Sequence, residues 1–258
     1  MKIYLSSKGI KPGIDNAKII NRQLEIAKEK STFVFPDGIF PIGSTIIWDK
    51  TANWEGSEDT TLFASNPITL LHLTRGYRSN ISKINFKGYY SIYDQSLKLP
   101  GLIISAVINM KDCMIRNVWG NGITVTADIS SLKTNASACR FDNLEIIECA
   151  DNGMYFQGGD ANQCGIYNAD IRDCNGVGLW DNSFLGNQFY ACMTHSNKKG
   201  SYKAGDETDL NNQNSRAGFW GCYAEMGQGK IILCGASKWY GGLPSDGFDL
   251  YNFAKIWV

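Results

Sequence analysis

Five polar side chains stand at one position of a recurring phrase, and their types could support acid–base chemistry. Each follows an aligned residue by two places: Asn117, Glu148, Asp173, His195 and Glu225. If the phrase marks equivalent positions of stacked chain passes, neighbours in this column lie about 4.8 Å apart and second neighbours about twice that. Glycoside hydrolysis uses carboxyl pairs about 5–5.5 Å apart when retaining and about 6.5–9.5 Å apart when inverting. The column therefore predicts Glu148 and Asp173 as acid and base or nucleophile.

Residues in and beside this column could also contact a substrate. Arg116 and Arg172 stand one place before it, and a lyase acting on a uronic acid needs such cations to neutralise the sugar carboxylate, together with a base. His195 could orient a hydroxyl or move a proton, Glu225 is a further catalytic candidate, and Asn117 is a candidate substrate ligand. Polar residues are also expected at solvent-facing turns that bind nothing, so a purely structural column stays an alternative.

Aromatic side chains are candidates for stacking against sugar rings, whose C–H faces suit π surfaces. Trp180, Tyr202 and Trp220 are the substrate-binding candidates of this kind, and Trp239 is a fourth exposed aromatic candidate. The polar insertion at 201–218 could form the wall of a groove.

No motif predicts a cofactor or a metal site. Three acidic residues could hold calcium: Asp206, Glu207 and Asp209. Their spacing is not that of an EF-hand, so a solvated loop is the favoured interpretation. The eight cysteines include no CxxC pair, which argues against a tetrahedral zinc site. Buried free thiols are the expectation, with Cys149 and Cys174 in one register as an inward ladder rather than a disulfide.

The elements that position these residues come from a repeat. Four phrases place an apolar residue seven places before glycine, and a looser fifth shortens the interval to six. They are IRNVWGNGI at 115–123, IIECADNGM at 146–154, IRDCNGVGL at 171–179, MTHSNKKGS at 193–201 and YAEMGQGKI at 223–231. Their irregular but bounded period is typical of a solenoid whose short strands bury their apolar faces by stacking coil on coil. A β-propeller needs more regular blades, and the helices of a doubly wound fold are missing.

The first 48 residues carry a second signal. Residues 15–30 predict a short amphipathic helix capped by Asp15 and Asn16, and a strand, a Pro-Asp-Gly turn and another strand follow it. This opening resembles the amino-terminal segment of the pectate-lyase-like superfamily, which includes phage tailspikes and many polysaccharide-degrading enzymes. The usual Gly-Ala-x-Gly-Asp-Gly…Asp-Asp-Thr lead-in is reduced here to KPGIDNA. The segment GFWGCYAEMGQG at 218–229 also looks like tailspike-like coils.

The resemblance implies an all-β fold, a right-handed parallel β-helix whose open end is covered by the short N-terminal helix. We expect one domain over 1–258: a cap and first strands at 1–48, coils at 49–235, and a C-terminal cap or contact segment at 236–258. It also implies a protein that binds and cleaves a polysaccharide by hydrolysis or elimination. The alternatives are a non-catalytic glycan-binding or structural module of a phage tail or adhesin, assembled as a homotrimer, and a pure spacer.

Charge and targeting signals limit the remaining function classes. Lys plus Arg, 25, equals Asp plus Glu, 25, so no positive balance argues for nucleic acid or a membrane surface. The chain as given shows no signal-peptide pattern and no run of about 18 apolar residues. We expect a virion-associated or extracellular location if it is part of a larger protein, and a cytoplasmic one otherwise.

Overall fold

The computed structural model describes residues 1–89, 96–127, 135–208 and 216–257. In these ranges the chain has one α-helix, α1 (Ala17–Ile26), and one short 3-10 helix (Leu5–Lys8), and its other regular elements are parallel β-strands. None of the described helices has the length and apolarity needed to cross a bilayer.

The strands form three ladders, which the chain visits in turn before it returns to the first. The first ladder contains β1 (Lys2–Tyr4), β2 (Ser31–Val34), β5 (Ala52–Glu55), β8 (Tyr77–Ser82), the first half of β11 (Val107–Arg116), the first half of β13 (Arg140–Ile147), β15 (Gly165–Tyr167), β18 (Gln188–Tyr190), β21 (Gly218–Trp220), β24 (Lys238–Tyr240) and β27 (Lys255–Trp257).

The other two ladders follow the first along each pass. The second contains β3 (Gly38–Ile42), β6 (Thr60–Ala64), β9 (Asn85–Lys87), the second halves of β11 and β13, β16 (Asp170–Arg172), β19 (Met193–His195), β22 (Tyr223–Glu225) and β25 (Leu243–Pro244). The third contains β4 (Ile46–Trp48), β7 (Leu71–Leu73), β10 (Leu102–Ile104), β12 (Ile123–Thr126), β14 (Met154–Gly158), β17 (Leu179–Ser183), β20 (Tyr202–Ala204), β23 (Ile231–Leu233) and β26 (Phe248–Leu250).

Stacking in register builds the core, because equivalent residues of successive passes lie directly above one another. The inward column of the first ladder is fully or almost fully buried from Phe33 to Trp239. Its members are Phe33, Trp54, Ile81, Met110, Phe141, Ile166, Phe189, Phe219 and Trp239. Burying one such side chain stabilises the fold by about 1.5–3 kcal/mol, and no single pass could bury it alone.

The N-terminal helix packs onto this stack as predicted, but it ends at Ile26 instead of residue 30, and the Asn16 side chain makes no capping hydrogen bond. Its buried residues Ala17, Ile20 and Leu24 lie on one face, and the helix contacts β4. Asp15 ties the start of the helix to the first pass: its Oδ1 accepts hydrogen bonds from the N–H of Ala17 (3.0 Å) and of Gly43 (2.8 Å). The helix therefore covers apolar surface at this end of the ladders.

The strands continue beyond residue 235, where the sequence repeat becomes unrecognisable. β24 pairs with β27, and β23 pairs with β26, so residues 238–257 add another pass to the stack. All eight cysteines are free and buried, which confirms the expectation for the thiols. Burial raises the pKa of Cys113 to about 12, so this thiol stays protonated at neutral pH.

Candidate functional site

Two sharp bends in each pass fix the directions of the side chains that face solvent. At the second bend, between the second ladder and the turn that follows it, a non-glycine residue adopts a left-handed conformation in pass after pass. The column consists of Asn117, Glu148, Asp173, Ser196 and Met226, with φ between 53° and 57°. Such conformations are uncommon outside glycine, and their repetition marks a bend that the stacking geometry requires.

The structure brings three predicted residues into this column and places two outside it. Asn117, Glu148 and Asp173 are vertical neighbours, but His195 lies opposite Arg172, and Glu225 lies opposite His195. His195 and Glu225 thus share the neighbouring column, which Arg116 and Arg172 also occupy. The predicted five-membered column is wrong by one residue in its last two passes.

The reason for this shift is core packing. The inward column of the second ladder runs Ile115, Ile146, Ile171 and then Thr194, which is fully buried, whereas Met193 is 37% exposed. Aligning MTHSNKKGS on Gly200 put Met193 in that column. In the structure Ser201, not Gly200, lies opposite Gly178, because Leu179 pairs with Tyr202.

The predicted pair Glu148 and Asp173 stands on an open surface. Arg116 Nε donates to Glu148 Oε2 at 3.0 Å, and Asn117 Nδ2 donates to the same oxygen at 2.9 Å. The guanidinium of Arg116 is therefore already neutralised by a carboxylate. Asp173 is exposed, and neither member of the pair lines either of the two grooves described below.

A second cluster of charged residues lies on the outer face of the second ladder. Arg172 bridges two carboxylates, donating from Nη2 to Glu145 Oε1 and from Nη1 to Asp170 Oδ2. Glu145 and Asp170 are direct register neighbours on adjacent passes. His195 stands beside them, with Nε2 3.4 Å from Asp170 Oδ1. Burial lowers the pKa of Arg172, but the ion pairs with Glu145 and Asp170 outweigh this effect and raise the pKa above its ordinary value. The bridging guanidinium therefore stays charged.

This cluster borders a groove of about 620 Å³ at the first bend of each pass, between the first and second ladders. We call it the acidic groove. Four carboxylates line it, from Glu58, Asp112, Glu145 and Asp170, together with the amine of Lys83. Neutral donors line it too, including Asn85, Asn143 and Asn168. Lys83, Asp112, Asn143 and Asn168 occupy left-handed positions of the first bend, with φ between 52° and 54°.

Glu145 and Asp170 were missed from the sequence, although a signal for them exists. In the run RFDNLEII, Phe141, Leu144 and Ile146 face inward, so alternation places Glu145 outward, one place before Ile146. Asp170 precedes Ile171 in the same way. This outward column stands before the aligned isoleucines, whereas the column predicted from the sequence stands after them.

Two of the aromatic candidates fail as exposed sugar platforms because they are buried. Tyr202 and Trp239 have no exposed surface. The Tyr202 hydroxyl donates to the backbone carbonyl oxygens of Cys192 (2.7 Å) and Tyr223 (3.0 Å), which fixes it in the core.

Trp180 is half-buried, and its ring is largely covered. The Tyr155 ring packs against it, with centroids 4.8 Å apart, and Lys203 Nζ lies 4.2 Å from the centroid of the Trp180 ring. Its Nε1 donates to the Gly205 carbonyl oxygen at 2.9 Å. The remaining edge offers less than a full ring face to a sugar.

Trp220 belongs to an aromatic ladder on the outer face of the first ladder of strands. Tyr167, Tyr190, Trp220, Tyr240 and Trp257 stack with interplanar angles of 6–12°. Ring centroids are 6.2 Å apart between Tyr190 and Trp220 and 3.9 Å apart between Trp220 and Tyr240. Although Trp220 is 37% exposed, both of its faces are directed at neighbouring rings, so it presents mainly its edge to solvent.

The proposed calcium ligands are engaged in a local ion-pair network. Lys203 Nζ lies 2.7 Å from Glu207 Oε2 and 3.5 Å from Asp206 Oδ1, while Asp209 lies outside the described residues. In the described ranges, no group of three or more His, Cys, Asp or Glu side chains is arranged to hold a metal ion.

No protein-family model and no curated protein matches the sequence. Solved structures do match its fold. Geobacillus virus E2 ORF18 superposes with a TM-score of 0.70 at 14% identity, over 97% of this chain and 59% of that one. The tailspike protein gp49 of Acinetobacter baumannii bacteriophage Fri1, described as a capsular polysaccharide depolymerase, gives 0.63 at 9% identity, over 98% and 50%. The N-terminal fragment of bacteriophage Phi29 gene product 12 gives 0.58 at 13%, over 98% and 43%.

The chain thus spans only 43–59% of the length of these three proteins. Sequence identities of 9–14% show that the fold is shared, but they do not show that the reaction or the ligand is shared. The resemblance read from the sequence is confirmed for the fold: the chain shares a parallel β-helix fold with these phage structures, one of which is a tailspike.

Proposed function

We propose that this chain is a carbohydrate-active, right-handed β-helical domain of a phage tail protein that binds a polysaccharide and cleaves it in the acidic groove. The observation that carries this proposal is the pair of groove carboxylates, Glu145 and Asp170, held in register by Arg172. The fold shared with a capsular polysaccharide depolymerase supports the substrate class.

The geometry of the pair suits glycoside hydrolysis. Directly paired residues of neighbouring strands are about 4.8 Å apart at the backbone, close to the carboxyl separation of about 5–5.5 Å in retaining enzymes. Arg172 binds one oxygen of each carboxylate, which leaves Glu145 Oε2 for the reaction, whereas the buried Asp170 Oδ1 faces His195. We assign Glu145 as nucleophile or base and Asp170 as the acid that protonates the leaving oxygen.

Arg172 and His195 act through this pair as positioning residues. Arg172 holds the two carboxylates next to each other on adjacent passes. His195 Nε2 lies 3.4 Å from Asp170 Oδ1, so it is placed to exchange a proton with Asp170.

Charge favours hydrolysis over elimination in this groove. A lyase must neutralise the carboxylate of the uronic acid at the cleavage point. Arg172, however, already faces two carboxylates, and the four groove acids outnumber the amine of Lys83. A sugar ring without charge at the cleaved bond fits this field better.

A non-catalytic glycan-binding module is the second candidate, and one observation favours it. Both carboxylates are engaged by Arg172, as they would be in a surface that only orients hydroxyl groups. In either case we propose a single domain that acts on the virion as part of a homotrimer. Light scattering of the isolated chain gives its oligomeric state.

Single substitutions distinguish the candidates. Glu145→Gln and Asp170→Asn are tested for reducing-end release and for the ultraviolet absorbance of unsaturated products, on a panel of bacterial polysaccharides. Glu148→Gln and Asp173→Asn are the matched controls, because they make the same changes on the same two passes outside the groove. We expect the groove variants to lose at least about 100-fold in rate and the controls to stay within about threefold.

Three results would refute the assignment. Full activity of both groove variants removes Glu145 and Asp170 as catalysts, and loss confined to the controls returns the site to the column predicted from sequence. Glycan binding by the wild type without any product supports the binding module instead.

A further inference from the structure

We propose that a second groove, on the side of the same passes where the first-ladder strands begin, binds the anionic group of an acidic polysaccharide. The groove, which we call the arginine groove, has a volume of about 750 Å³ and is lined by Arg75, Tyr77, Arg78, Ser105 and Ser137 among others. The inference rests on the proposed function and adds the substrate class: a glycan that carries carboxylate, sulfate or phosphate groups away from the cleaved bond.

A β-bulge places one of the arginines. β11 pairs with β8 in continuous register except at its start, where Val107 lies opposite Tyr77 and Ile108 lies opposite Ser79. Arg78 is therefore the extra residue, and its φ of 55° is left-handed. Bulges of this kind redirect a side chain at the cost of one ladder position, and they are over-represented beside functional sites.

The preceding turn brings Arg75 to the same groove. Gly76, with φ of 121°, passes so close to the neighbouring pass that a Cβ atom there would lie 2.8 Å from the Lys50 carbonyl oxygen. A residue with a side chain would push this turn away. The glycine thus holds Arg75 and Arg78 on the two sides of a tight reversal that lines the groove.

The charges of the two arginines are not neutralised by the part of the chain that the structure describes. Arg116 and Arg172, the arginines predicted to bind a sugar carboxylate, are paired with Glu148 and with Glu145 and Asp170. Neither exposed guanidinium of the arginine groove has an ion-pair partner among the described residues, and no described Asp or Glu lines this groove. The positive electrostatic potential of the arginine groove favours an anion, whereas the carboxylates of the acidic groove repel one.

A buried hydroxyl gives independent support for a polar ligand. Ser105 has no exposed surface and lines the arginine groove, yet its Oγ has no hydrogen-bond partner among the residues that the structure describes. Leaving a buried hydroxyl without a partner costs about 1–3 kcal/mol, so such groups are rarely kept without use. Because this Oγ is itself covered, the proposed anion is assigned to Arg75 and Arg78, with the Ser105 hydroxyl as an unsatisfied polar group beside them.

The two grooves lie at opposite ends of the same strand. Lys83 follows Arg78 by five positions, which corresponds to about 16 Å of extended chain. The surface between them is polar: Asn80 Nδ2 donates to Asn53 Oδ1 at 2.6 Å, and Asn109 Nδ2 donates to Asn80 Oδ1 at 3.1 Å. A glycan of a few sugar units can cross this face with its anionic group in one groove and its cleaved bond in the other.

The test compares binding on an array of neutral and acidic bacterial polysaccharides. The probes are the wild-type chain, the double variant Arg75→Ala/Arg78→Ala, and the control Lys18→Ala/Arg22→Ala, which removes the same charge from exposed positions of α1. We expect the wild type and the control to bind acidic glycans, and the double variant to bind them about tenfold or more weakly. Sodium sulfate should compete with the wild type more strongly than sodium chloride does at equal ionic strength.

Outcomes for the two proposals are separable. Unchanged binding of acidic glycans by the double variant, or wild-type binding to neutral glycans alone, overturns the arginine groove and leaves the acidic groove untouched. Binding that depends on Arg75 and Arg78, with no product from any glycan, supports the arginine groove and refutes cleavage. A circular-dichroism melt of each variant shows that the comparison is made on folded protein.

Discussion

Replacing Trp220 with alanine tests whether the exposed aromatic ladder holds the stack together or serves as a sugar platform. Trp220 sits between Tyr190 and Tyr240 and donates its Nε1 hydrogen to Gln188 Oε1 at 2.9 Å. Because both ring faces are directed at neighbours, the substitution should reduce stability and leave glycan binding intact.

The magnitude follows from what the indole loses. With 37% of Trp220 exposed, its truncation uncovers about 100 Å² of apolar surface, or about 2.5 kcal/mol at 25 cal/mol per Å². The two stacked contacts add about 1 kcal/mol, mainly from the close Tyr240 ring. We expect the free energy of unfolding to fall by about 3.5 kcal/mol. Trp257→Ala, at the end of the ladder with one ring neighbour, should cost about half as much.

Guanidinium unfolding followed by circular dichroism measures these differences. Phe253, an aromatic residue 81% exposed on the same end of the chain, supplies the control: Phe253→Ala should change stability by less than about 0.5 kcal/mol. Trp220→Phe, which keeps a ring in the stack, should recover most of the loss. A Trp220→Ala variant with unchanged stability and weakened glycan binding would refute the structural role of the ladder.

Three further predictions concern the coil interior and the acidic groove. Gly122→Ala should destabilise the chain by about 2 kcal/mol or more, because its Cβ would lie 2.5 Å from a backbone carbonyl oxygen of the next pass, and thermal unfolding measures this. Burial raises the pKa of Asp181, so the unfolded chain releases this proton at lower pH than the folded chain does. The contribution of Asp181 therefore weakens as pH rises from the ordinary aspartate range through the raised pKa, and Asp181→Asn should remove that slope from urea titrations at several pH values. Arg172→Gln leaves Glu145 and Asp170 adjacent without their shared cation, so the acid limb of the pH–rate profile should move to higher pH, and an unmoved limb would contradict the pairing.

The sequence predicted the fold because its determinants repeat. Ile115, Ile146 and Ile171 all lie in one buried column, and the capping helix and the first strands appear where their patterns place them. The predicted alignment of inward residues failed where the repeat becomes less regular. In β19, Thr194 takes the inward position directly after Met193, and apolar spacing alone does not reveal this change.

The candidate site was harder to predict because it depends on which outward residues meet at a bend. Glu148 and Asp173 attracted attention by their equal spacing, yet they occupy a bend that faces open solvent. Glu145 and Asp170 are equally periodic, and their distinction is the groove beside them, which forms only when left-handed residues such as Asn143 turn the chain. The groove forms only when several passes are stacked, so it cannot be predicted from the sequence of any single repeat.

The most direct measurement of the central claim is a crystal structure of the Glu145→Gln variant with a bound oligosaccharide from a polysaccharide that the wild type binds. We predict a sugar ring in the acidic groove, with its glycosidic oxygen within hydrogen-bond reach of Asp170. A sugar bound along the Asn117, Glu148 and Asp173 column, with the acidic groove empty, would contradict the account.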